Sequence, residues 1–411
     1  MKVLVIGGSG KMGSVVARDL VKDNEVEVVG IVGRRKDALE RANNWINSNK
    51  VMLHILDITD RENTKRLMKE YDVGVISLSD RKGSYKAVEA AIEAGLDVVD
   101  ILEEYHRRPD PYEVEDLELP SEMTLEEYGE WLHKRAIENG VILLDGLGFA
   151  PGLINITLAE GIRKMDKAEL AIGRVGGIPA KEASGKYPLK YMITWAFSHV
   201  LREYMVKVKV IKTGKVVEVP ALSDRESFRF TQFGKDEELE CAITPGMPSL
   251  LFTRPQLNEL AEKSIRWPGH FEGINRLKEC GMLDLTSVEF KGMKIAPRDF
   301  LLAVMDTKLK PLEGDTDVCV MWNTVTGTKN GQKMRIDYYM WDEADTKNGI
   351  SSMGRVTGFP AAIGARLIGR GEIEKKGIVA PEDAIEGKVY QKFMGELRKR
   401  NITILEAPSV S

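Results

Sequence analysis

The amino-acid sequence predicts an α/β fold with a doubly wound parallel sheet in its N-terminal part, followed by an α+β domain with a largely antiparallel sheet. Two observations support the first prediction. Apolar segments alternate with amphipathic helical segments up to residue 146, and a glycine-rich turn joins the first two segments. The second prediction depends on a change of pattern near residue 151, after which polarity alternates residue by residue around tight turns.

The N-terminal part alternates short apolar strands with helices whose apolar residues recur at helical spacing. Parallel strands joined by helices form right-handed crossovers, so these segments predict a parallel sheet. Gly95 is predicted to end the fourth helix. The acidic, proline-containing segment 103–128 is predicted to be a surface excursion. The predicted strands cover 2–7, 26–32, 51–58, 73–78, 97–101 and 141–146, and the predicted helices cover 11–22, 36–46, 61–71, 84–95 and 126–139.

The C-terminal part contains two hairpin patterns and a helical pattern. Residues 206–221 alternate in polarity around Thr213-Gly214-Lys215, and residues 321–341 turn at Lys329-Asn330-Gly331. Residues 357–370 consist largely of small side chains and are predicted to form a helix. These changes of pattern divide the chain into residues 1–150, 151–355 and 356–411.

Composition excludes several classes of protein. The net charge of −4 provides no general attraction to nucleic acid or to anionic membranes, so we expect neither as a partner. No segment has the unbroken apolar length of a membrane span, and glycines followed by Lys11 and Arg18 interrupt the N-terminal apolar run, unlike a secretory signal. The three cysteines are far apart in the sequence, and the histidines show no ligand spacing with acids or thiols. We therefore expect a cytoplasmic protein without a metal site.

A glycine-rich motif follows the first predicted strand and opens the first helix. It reads Gly8-Ser9-Gly10-Lys11-Met12-Gly13, which is G-x-G-x-x-G, and Gly7 precedes it. In dinucleotide-binding turns the first glycine permits the tight turn, the second lets the pyrophosphate approach the backbone, and the third lets helix and strand pack closely. The helix N-terminus offers free N–H groups to the anion. The motif predicts a Rossmann dinucleotide site, and the alternative is a plain tight turn.

The end of the second strand indicates which dinucleotide binds. NAD sites usually carry an acidic residue there, whereas this sequence has Gly33-Arg34-Arg35-Lys36 and no acid before Asp37. A guanidinium pairs with a 2′-phosphate that an acid would repel, so Arg34 and Arg35 favour NADP over NAD. The alternative is that both arginines form a solvated turn. Two further candidates for cofactor contact are Asp57, which could instead cap the next helix together with Thr59, and Ser79 after the fourth strand.

Four later segments carry further motifs. They are DGLGFAPGLIN (145–155), GGIP (176–179) with PLKYMITWAFSHVLREY (188–204), KSIRWPGHFEGINRLKECGMLD (263–284) and VTGFPAAIGARLIGRGEIEKKGIVAPEDA (356–384). In order and spacing, these segments and the glycine motif resemble the saccharopine reductase family from residue 1 to about 385. That family also contains lysine 6-dehydrogenase and carboxynorspermidine dehydrogenase.

The resemblance implies a NAD(P)-binding Rossmann domain over 1–150 and an α+β substrate-binding domain over 151–355 whose sheet forms a homodimer. It also implies that C-terminal helices within 356–411 return to the first domain. The implied activity is NAD(P)-linked oxidoreduction of a small amino-acid substrate at a carbon–nitrogen bond. Saccharopine reductases have an aspartate before Pro-Gly, whereas this chain has Ala150, as lysine 6-dehydrogenases do.

Within these motifs the candidate catalytic residues are Arg266, His270, Lys190 and Tyr191. An arginine fork binds a carboxylate bidentately, so Arg266 is predicted to hold the substrate carboxylate, with a structural salt bridge as the alternative. His270 or Lys190 could relay a proton, with a structural histidine and a solvated lysine as the alternatives. Tyr191 could hydrogen-bond the substrate or the nicotinamide carboxamide.

The remaining substrate-site candidates are Thr194, Trp195, Trp267, Ala150 and Gly152. Thr194 could act with Tyr191, and the two tryptophans could wall the pocket or simply belong to the core. Gly152 follows Pro151, which favours the first turn of a helix, so its N–H group could face the cofactor or the substrate carboxylate.

Four functions are compatible with the sequence. The leading hypothesis is an NADP-dependent oxidoreductase of the saccharopine reductase type. Ala150 favours the second, a lysine 6-dehydrogenase-like oxidative deamination. The third is a carboxynorspermidine dehydrogenase-like reduction of a Schiff base, and the fourth is a non-catalytic, cofactor-binding scaffold.

Overall fold

A computed structural model of the chain describes residues 1–111, 117, 119–120 and 122–410. The strands are β1 (Lys2–Ile6), β2 (Val28–Gly33), β3 (Val51–Ile55), β4 (Val73–Ile76), β5 (Asp97–Asp100), β6 (Ile142–Asp145), β7 (Lys167–Pro179), β8 (Lys207–Lys212), β9 (Lys215–Pro220), β10 (Glu226–Phe230), β11 (Glu237–Ile243), β12 (Glu259–Arg266), β13 (Val288–Phe290), β14 (Met293–Ile295), β15 (Asp317–Lys329), β16 (Gln332–Glu343), β17 (Gly377–Val379) and β18 (Leu405–Val410).

The helices are α1 (Lys11–Leu20), α2 (Lys36–Ile46), α3 (Arg61–Met68), α4 (Arg81–Ala94), α5 (Leu125–Glu138), α6 (Leu153–Arg163), α7 (Lys181–Ser184), α8 (Phe197–Glu203), α9 (Leu250–Thr253), α10 (His270–Glu279), α11 (Pro297–Leu309), α12 (Ser352–Gly369), α13 (Pro381–Ala384) and α14 (Gly387–Lys399). Short 3-10 turns lie at Pro188–Lys190 and Gln232–Gly234. None of the helices among the described residues has both the length and the apolar character needed to cross a membrane.

The chain forms two compact units. The first consists of Met1–Glu160, Gly246–Arg254 and Gly354–Ile402, and the second consists of Gly161–Pro245, Pro255–Met353 and Thr403–Ser411. Each unit is therefore built from segments that are separated in the sequence.

The first unit contains a seven-stranded sheet in the order β17-β6-β5-β4-β1-β2-β3, in which all neighbouring strands are parallel. The chain runs from β1 outward to β3 and then returns to the other side of β1 to form β4. The predicted doubly wound sheet is confirmed, and its switch of direction lies between β1 and β4, where such sheets bind their ligands.

Local capping explains where the helices of the first unit begin and end. The Asp80 side chain accepts a hydrogen bond from the Gly83 N–H, so α4 begins at Arg81, earlier than the predicted residue 84. Gly95 adopts a left-handed conformation and ends α4, as predicted. Thr124 and Glu127 form a capping box at the start of α5.

The segment predicted as a surface excursion, 103–128, differs from that prediction in its first part. Glu104, Tyr105 and His106 are buried. Charged groups can be buried there because Glu104 pairs with Arg81 and His106 pairs with aspartates, so the charges compensate each other. Residues 112–116, 118 and 121 of this segment lie outside the described residues.

The second unit contains a nine-stranded sheet with a main path of β10-β11-β12-β7-β15-β16-β18, to which β8 and β9 are added beside β12. Only the β7–β12 pair is parallel among the described pairs of this sheet, so the predicted, largely antiparallel second sheet is confirmed. Both predicted hairpins form, as β8–β9 and β15–β16. The strands β10, β11 and β12, which the sequence analysis did not mark, position Arg266 at the end of β12.

Candidate functional site

The glycine-rich turn lies at the carboxyl end of β1. The glycine with a left-handed backbone is Gly7, with φ +77°, which precedes the motif. Gly8 instead lies against β2, where a β-carbon would come within 2.6 Å of the Ile31 Cβ. A β-carbon at Gly13 would lie 2.4 Å from the Gly7 carbonyl oxygen, so the third glycine permits close packing of helix and strand, as predicted.

Gly10 presents an open backbone at the start of α1. A β-carbon there would meet only the Gly7 carbonyl oxygen, at 3.2 Å, and no side chain caps the helix. The first N–H groups of a helix have no intrahelical acceptor and favour an anion. Ser9 lies in the turn before Gly10, and Lys11 and Met12 are the first two residues of α1. The residues of the turn therefore fit a dinucleotide pyrophosphate.

The residues predicted to select the cofactor lie at the same edge of the sheet. Arg34 and Arg35 follow β2 and are exposed, and neither forms an ion pair among the described residues. Two arginines in this position suit a 2′-phosphate. Ser79 follows β4 and is also exposed.

Asp57 lies after β3, where its carboxylate accepts hydrogen bonds from the N–H (3.0 Å) and hydroxyl (2.8 Å) of Thr59. These bonds hold the pKa of Asp57 below its usual value, and Arg34 adds to the effect. The alternative that Asp57 or Thr59 caps the next helix is wrong, because Asp60 caps α3. Asp57 therefore keeps an exposed carboxylate beside the cofactor residues.

In the second unit Arg266 is the centre of the candidate substrate site. Its side chain is buried, and its guanidinium lies 5.5 Å from the centre of the Tyr191 ring. Arg266 Nε donates to the Tyr204 hydroxyl at 3.0 Å, and Nη1 donates to the Ile265 carbonyl at 2.8 Å. No carboxylate of a described residue forms an ion pair with this guanidinium. The Glu203 carboxylate acts on the guanidinium only through space, without an ion pair. A buried cation without a directly bonded anion is unusual, because charges taken out of water are normally paired.

A directed chain of hydrogen bonds supports Arg266 from behind. His270 Nδ1 lies 2.9 Å from the Leu189 carbonyl and must donate to it, so Nε2, 3.0 Å from the Tyr204 hydroxyl, accepts. Burial and the positive charge of Arg266 lower the pKa of His270 to about 3. The imidazole ring is therefore neutral, and both of its nitrogens are hydrogen-bonded. This geometry favours the structural alternative for His270 over a proton relay.

Two hydroxyl groups accompany the guanidinium. Tyr191 and Thr194 are buried with their hydroxyls close to each other, but neither hydroxyl makes a hydrogen bond of normal geometry within the described part of the chain. Burial raises the pKa of Tyr191, so its hydroxyl keeps its proton. The two hydroxyls interact only weakly with each other, and buried polar groups are usually well hydrogen-bonded, so this pair indicates a place where a ligand binds.

Other predicted residues lie apart from this cluster. Trp267 packs in a hydrophobic cluster with Ile178 and Ile265, and its ring N–H donates to the Pro179 carbonyl at 2.8 Å. Trp195 stacks on His199 with ring centres 5.9 Å apart. The structure therefore does not join either tryptophan to Arg266.

Lys190 is exposed, and its ammonium donates to the Pro268 carbonyl at 2.9 Å. Lys190 and its neighbour Leu189 have φ values of +48° and +59°, which side-chain-bearing residues rarely adopt. Backbone strain of this kind is often held at functional sites, and here it presents the carbonyl that binds His270.

Ala150 and Gly152 belong to the first unit. Gly152 has φ +128° and lies against Gly148, where a β-carbon would come within 2.1 Å of a carbonyl oxygen. Its N–H donates to the Asn155 side chain at 3.1 Å. The N–H group predicted to face a ligand is therefore used by a side chain of α6.

Tyr204, which joins Arg266 to His270, was not among the predicted residues. Tyr204 is 62 residues from Arg266 in the sequence, and no periodicity connects the two. The segment 188–204 that ends in Tyr204 was identified, but its last residue carried no separate signal. No group of three metal-ligating side chains occurs within the described part of the chain.

Comparisons with known proteins identify the family of the chain. A family model described as the saccharopine dehydrogenase NADP binding domain matches residues 3–144, and one described as the saccharopine dehydrogenase C-terminal domain matches residues 148–402. The chain is 22% identical to carboxyaminopropylagmatine dehydrogenase of Synechocystis sp. over 93% of this chain and 92% of that protein. It is also 22% identical to the NADP(+), L-glutamate-forming saccharopine dehydrogenase of Schizosaccharomyces pombe, over 67% of this chain and 75% of that one.

A solved structure shares the fold. Apo saccharopine dehydrogenase (L-Glu forming) from Saccharomyces cerevisiae matches with a TM-score of 0.77 at 20% sequence identity, covering 99% of both chains.

Proposed function

The chain belongs to the saccharopine dehydrogenase family, and we propose that it catalyses NADP-dependent oxidoreduction at a carbon–nitrogen bond of an amino acid or its imine adduct. The membership makes it an NAD(P)-dependent oxidoreductase with an NADP-binding domain. The observation that supports a carboxylate-bearing substrate is that the Arg266 guanidinium is buried without a carboxylate bonded to it among the described residues.

The first unit supplies the residues that would hold the cofactor. The open backbone at Gly10 and the first turn of α1 suit the pyrophosphate, and Arg34 with Arg35 suits the 2′-phosphate. When bound, NADPH supplies a hydride, or NADP+ accepts one. The protein contributes position and electrostatics.

The second unit supplies a site for an anion. Burying an unpaired guanidinium costs several kcal/mol in effective terms, and a substrate carboxylate would offset that cost by forming charge-assisted hydrogen bonds. The Tyr191 hydroxyl, which stays protonated, can donate to the same ligand, and Thr194 offers a second hydroxyl. Tyr204 and His270 act as positioning residues, because they fix the guanidinium through Nε.

A second candidate substrate has its own support. The relative from Synechocystis sp. named carboxyaminopropylagmatine dehydrogenase matches over 93% of this chain, and Ala150 replaces the aspartate of saccharopine reductases. Ala150, as in lysine 6-dehydrogenases, favours oxidative deamination, whereas the match to this relative favours a Schiff base formed between a carboxylate-bearing aldehyde and a polyamine-like amine. Such a substrate also carries the carboxylate that Arg266 would bind.

A substrate panel tests the proposal. In the oxidative direction, purified protein is given NADP+ with either lysine or saccharopine. In the reductive direction it is given NADPH with one of two pairs: lysine and 2-oxoglutarate, or aspartate semialdehyde and a diamine or agmatine. The absorbance of the nicotinamide is followed in each case. Turnover with one carboxylate-bearing pair, abolished by Arg266→Met and kept by Arg276→Met on the exposed face of α10, supports the proposal. Turnover with lysine alone would assign the oxidative deamination instead. NADPH binding without turnover of any pair would favour the scaffold.

We also propose that the protein is a homodimer formed through the sheet of the second unit. One face of this sheet carries partly exposed aromatic side chains, with Phe228 5.0 Å from Trp322 and Trp322 6.2 Å from Tyr339 between ring centres. Light scattering should give twice the chain mass, and Tyr339→Arg should give monomer, whereas Phe300→Arg on α11 should not. A monomeric wild type would contradict the proposal.

A further inference from the structure

Four buried polar residues meet at the carboxyl ends of β5 and β6, and we call them the His106 cluster: Ser84, Asp100, His106 and Asp145. His106 Nδ1 lies 2.8 Å from an Asp145 oxygen, and the His106 backbone N–H donates to the other oxygen at 2.7 Å. His106 Nε2 lies 3.0 Å from the Ser84 hydroxyl, which hydrogen-bonds Asp100.

The hydrogen-bond pattern requires one shared extra proton. Facing a carboxylate, Nδ1 must carry a proton. If Ser84 donates to Asp100, Nε2 must also carry one. If the extra proton is on the Asp100 carboxyl group instead, Asp100 donates to the Ser84 oxygen and the Ser84 hydroxyl donates to Nε2. In both arrangements the three ionisable groups hold a net charge of minus one, against minus two if His106 were neutral and both aspartates were ionised.

The surrounding charges agree with this assignment. Burial alone would lower the pKa of His106, but the facing carboxylates of Asp145, Asp100 and Glu104 outweigh it and raise the pKa to about 9. Tyr85 of α4 packs on the His106 ring at 4.4 Å between centres. Glu104 is itself paired with Arg81 of α4 at 2.6 Å.

The His106 cluster connects three loops. Ser84 belongs to the first turns of α4, which follow Ser79, and His106 lies in the loop after β5. Asp145 leads directly into the turn that contains Ala150, and the Asp100 carbonyl accepts the N–H groups of residues 146 and 147 at 2.9 and 2.8 Å. The cluster therefore links His106, the first turns of α4 and residues 146 and 147 through direct hydrogen bonds.

The cluster lies on one half of the sheet. In a doubly wound sheet each half binds one mononucleotide. Arg34 and Arg35 mark the β1–β3 half as the adenosine side, so the β4–β6 half takes the nicotinamide mononucleotide. We infer that His106 is a positioning residue that holds the three loops of the nicotinamide half in place, an inference that rests on the proposed NADP-dependent function.

The cluster is not a hydrolase triad, although Ser84, His106 and Asp145 are arranged in that order. All of these side chains are buried, and the Ser84 hydroxyl is engaged by Asp100 as well as by His106. A nucleophile needs access to its substrate, which Ser84 does not have.

Calorimetric titration with two ligands tests the inference. NADPH occupies both halves of the site, whereas 2′,5′-ADP occupies the adenosine half alone. We expect His106→Gln to weaken NADPH binding about tenfold or more and Ser84→Ala to weaken it several-fold, with 2′,5′-ADP binding unchanged within about twofold. His54→Gln is the matched control, because His54 is a half-buried histidine of β3 whose one side-chain bond to a described residue is to Tyr71. It should leave the binding of both ligands unchanged.

Each outcome either supports or overturns the inference about His106. A selective loss of NADPH affinity supports the inference, whereas unchanged binding of both ligands, or equal loss of both, overturns it. Should His106→Gln fail to fold, Ser84→Ala is judged by the same criterion, because it removes only one hydroxyl. Failure of the wild type to bind NADPH would instead refute the proposed function, so the two failures are distinguishable.

Discussion

Replacing Arg266 by methionine should leave the stability of the ligand-free protein close to that of the wild type while it removes most of the affinity for a carboxylate substrate. Methionine has a comparable length and can occupy the buried space beside the Tyr191 ring. The substitution removes a buried cation that has no carboxylate partner among the described residues. The expected result therefore differs from that for an ordinary buried ion pair.

The contacts of Arg266 give the expected change in the free energy of unfolding. The variant loses the two hydrogen bonds that the guanidinium makes in the wild type, to Tyr204 at 3.0 Å and to Ile265 at 2.8 Å, and each contributes about 1–3 kcal/mol. Against this loss, the desolvation of an unpaired cation, an effective penalty of several kcal/mol, disappears. The two effects largely cancel, so we expect the free energy of unfolding to change by less than about 2 kcal/mol. Loss of a bidentate carboxylate contact should lower kcat/KM by about a hundredfold or more.

Arg366 provides the matched control. It is buried like Arg266 but bonds Asp19, with Asp23 at 3.6 Å. Arg366→Met should cost about 2–4 kcal/mol, because it removes one of the two arginines that pair with the buried Asp19 carboxylate, Arg400 being the other. Urea denaturation of the two variants measures the contrast, and steady-state kinetics measures KM. If Arg266→Met unfolds as readily as Arg366→Met while KM stays normal, Arg266 is structural and the argument for a carboxylate site is wrong.

Three further predictions concern the first unit. Alanine at both Arg34 and Arg35 should weaken NADPH binding about tenfold or more and leave NADH binding nearly unchanged, since only a 2′-phosphate needs them; equal losses in titration would contradict the assignment. Gly13→Ala should lower the free energy of unfolding by about 1–3 kcal/mol and weaken NADPH binding, because its β-carbon would lie 2.4 Å from the Gly7 carbonyl oxygen; an unchanged free energy of unfolding in urea would count against the close packing, and normal NADPH affinity would count against a role of the turn in binding. The folded pKa of His106, about 9, lies above the unfolded value of 6.5, so its contribution is complete below pH 6.5 and is lost as pH rises through 9. Urea titrations should show the wild type losing on the order of 3 kcal/mol relative to His106→Gln over that range, and parallel curves would refute it.

The fold of the first unit could be predicted because its signals are local. The segment 36–46 carries helical periodicity between two apolar runs, and the structure has α2 at Lys36–Ile46. The hairpin turns at Gly214 and Gly331 were equally local. By contrast, nothing in the composition of 246–254 indicated that it belongs to the first unit, because its packing partners are distant in the sequence.

The candidate site was predictable only in part, for the same reason. Arg266 and the glycine turn could be identified from residue chemistry. The bidentate guanidinium is a property of one residue, and a backbone without side chains is a property of a short motif. The tautomer of His270 could not be inferred, because it depends on Tyr204 and on a carbonyl that a left-handed backbone presents. His106 was placed on the surface because its neighbours in sequence are acidic, and its partner Asp145 is 39 residues away.

The edge strand β17 has a consequence for synthesis on the ribosome. Gly377–Val379 pairs with β6, so the first sheet acquires its last strand only when almost the whole chain has been made. At typical translation rates the apolar strand β6 waits on the order of tens of seconds with one side unpaired. We therefore expect the nascent chain to need chaperone protection during that interval, and chains that stop before Gly377 to aggregate instead of yielding a folded nucleotide-binding unit.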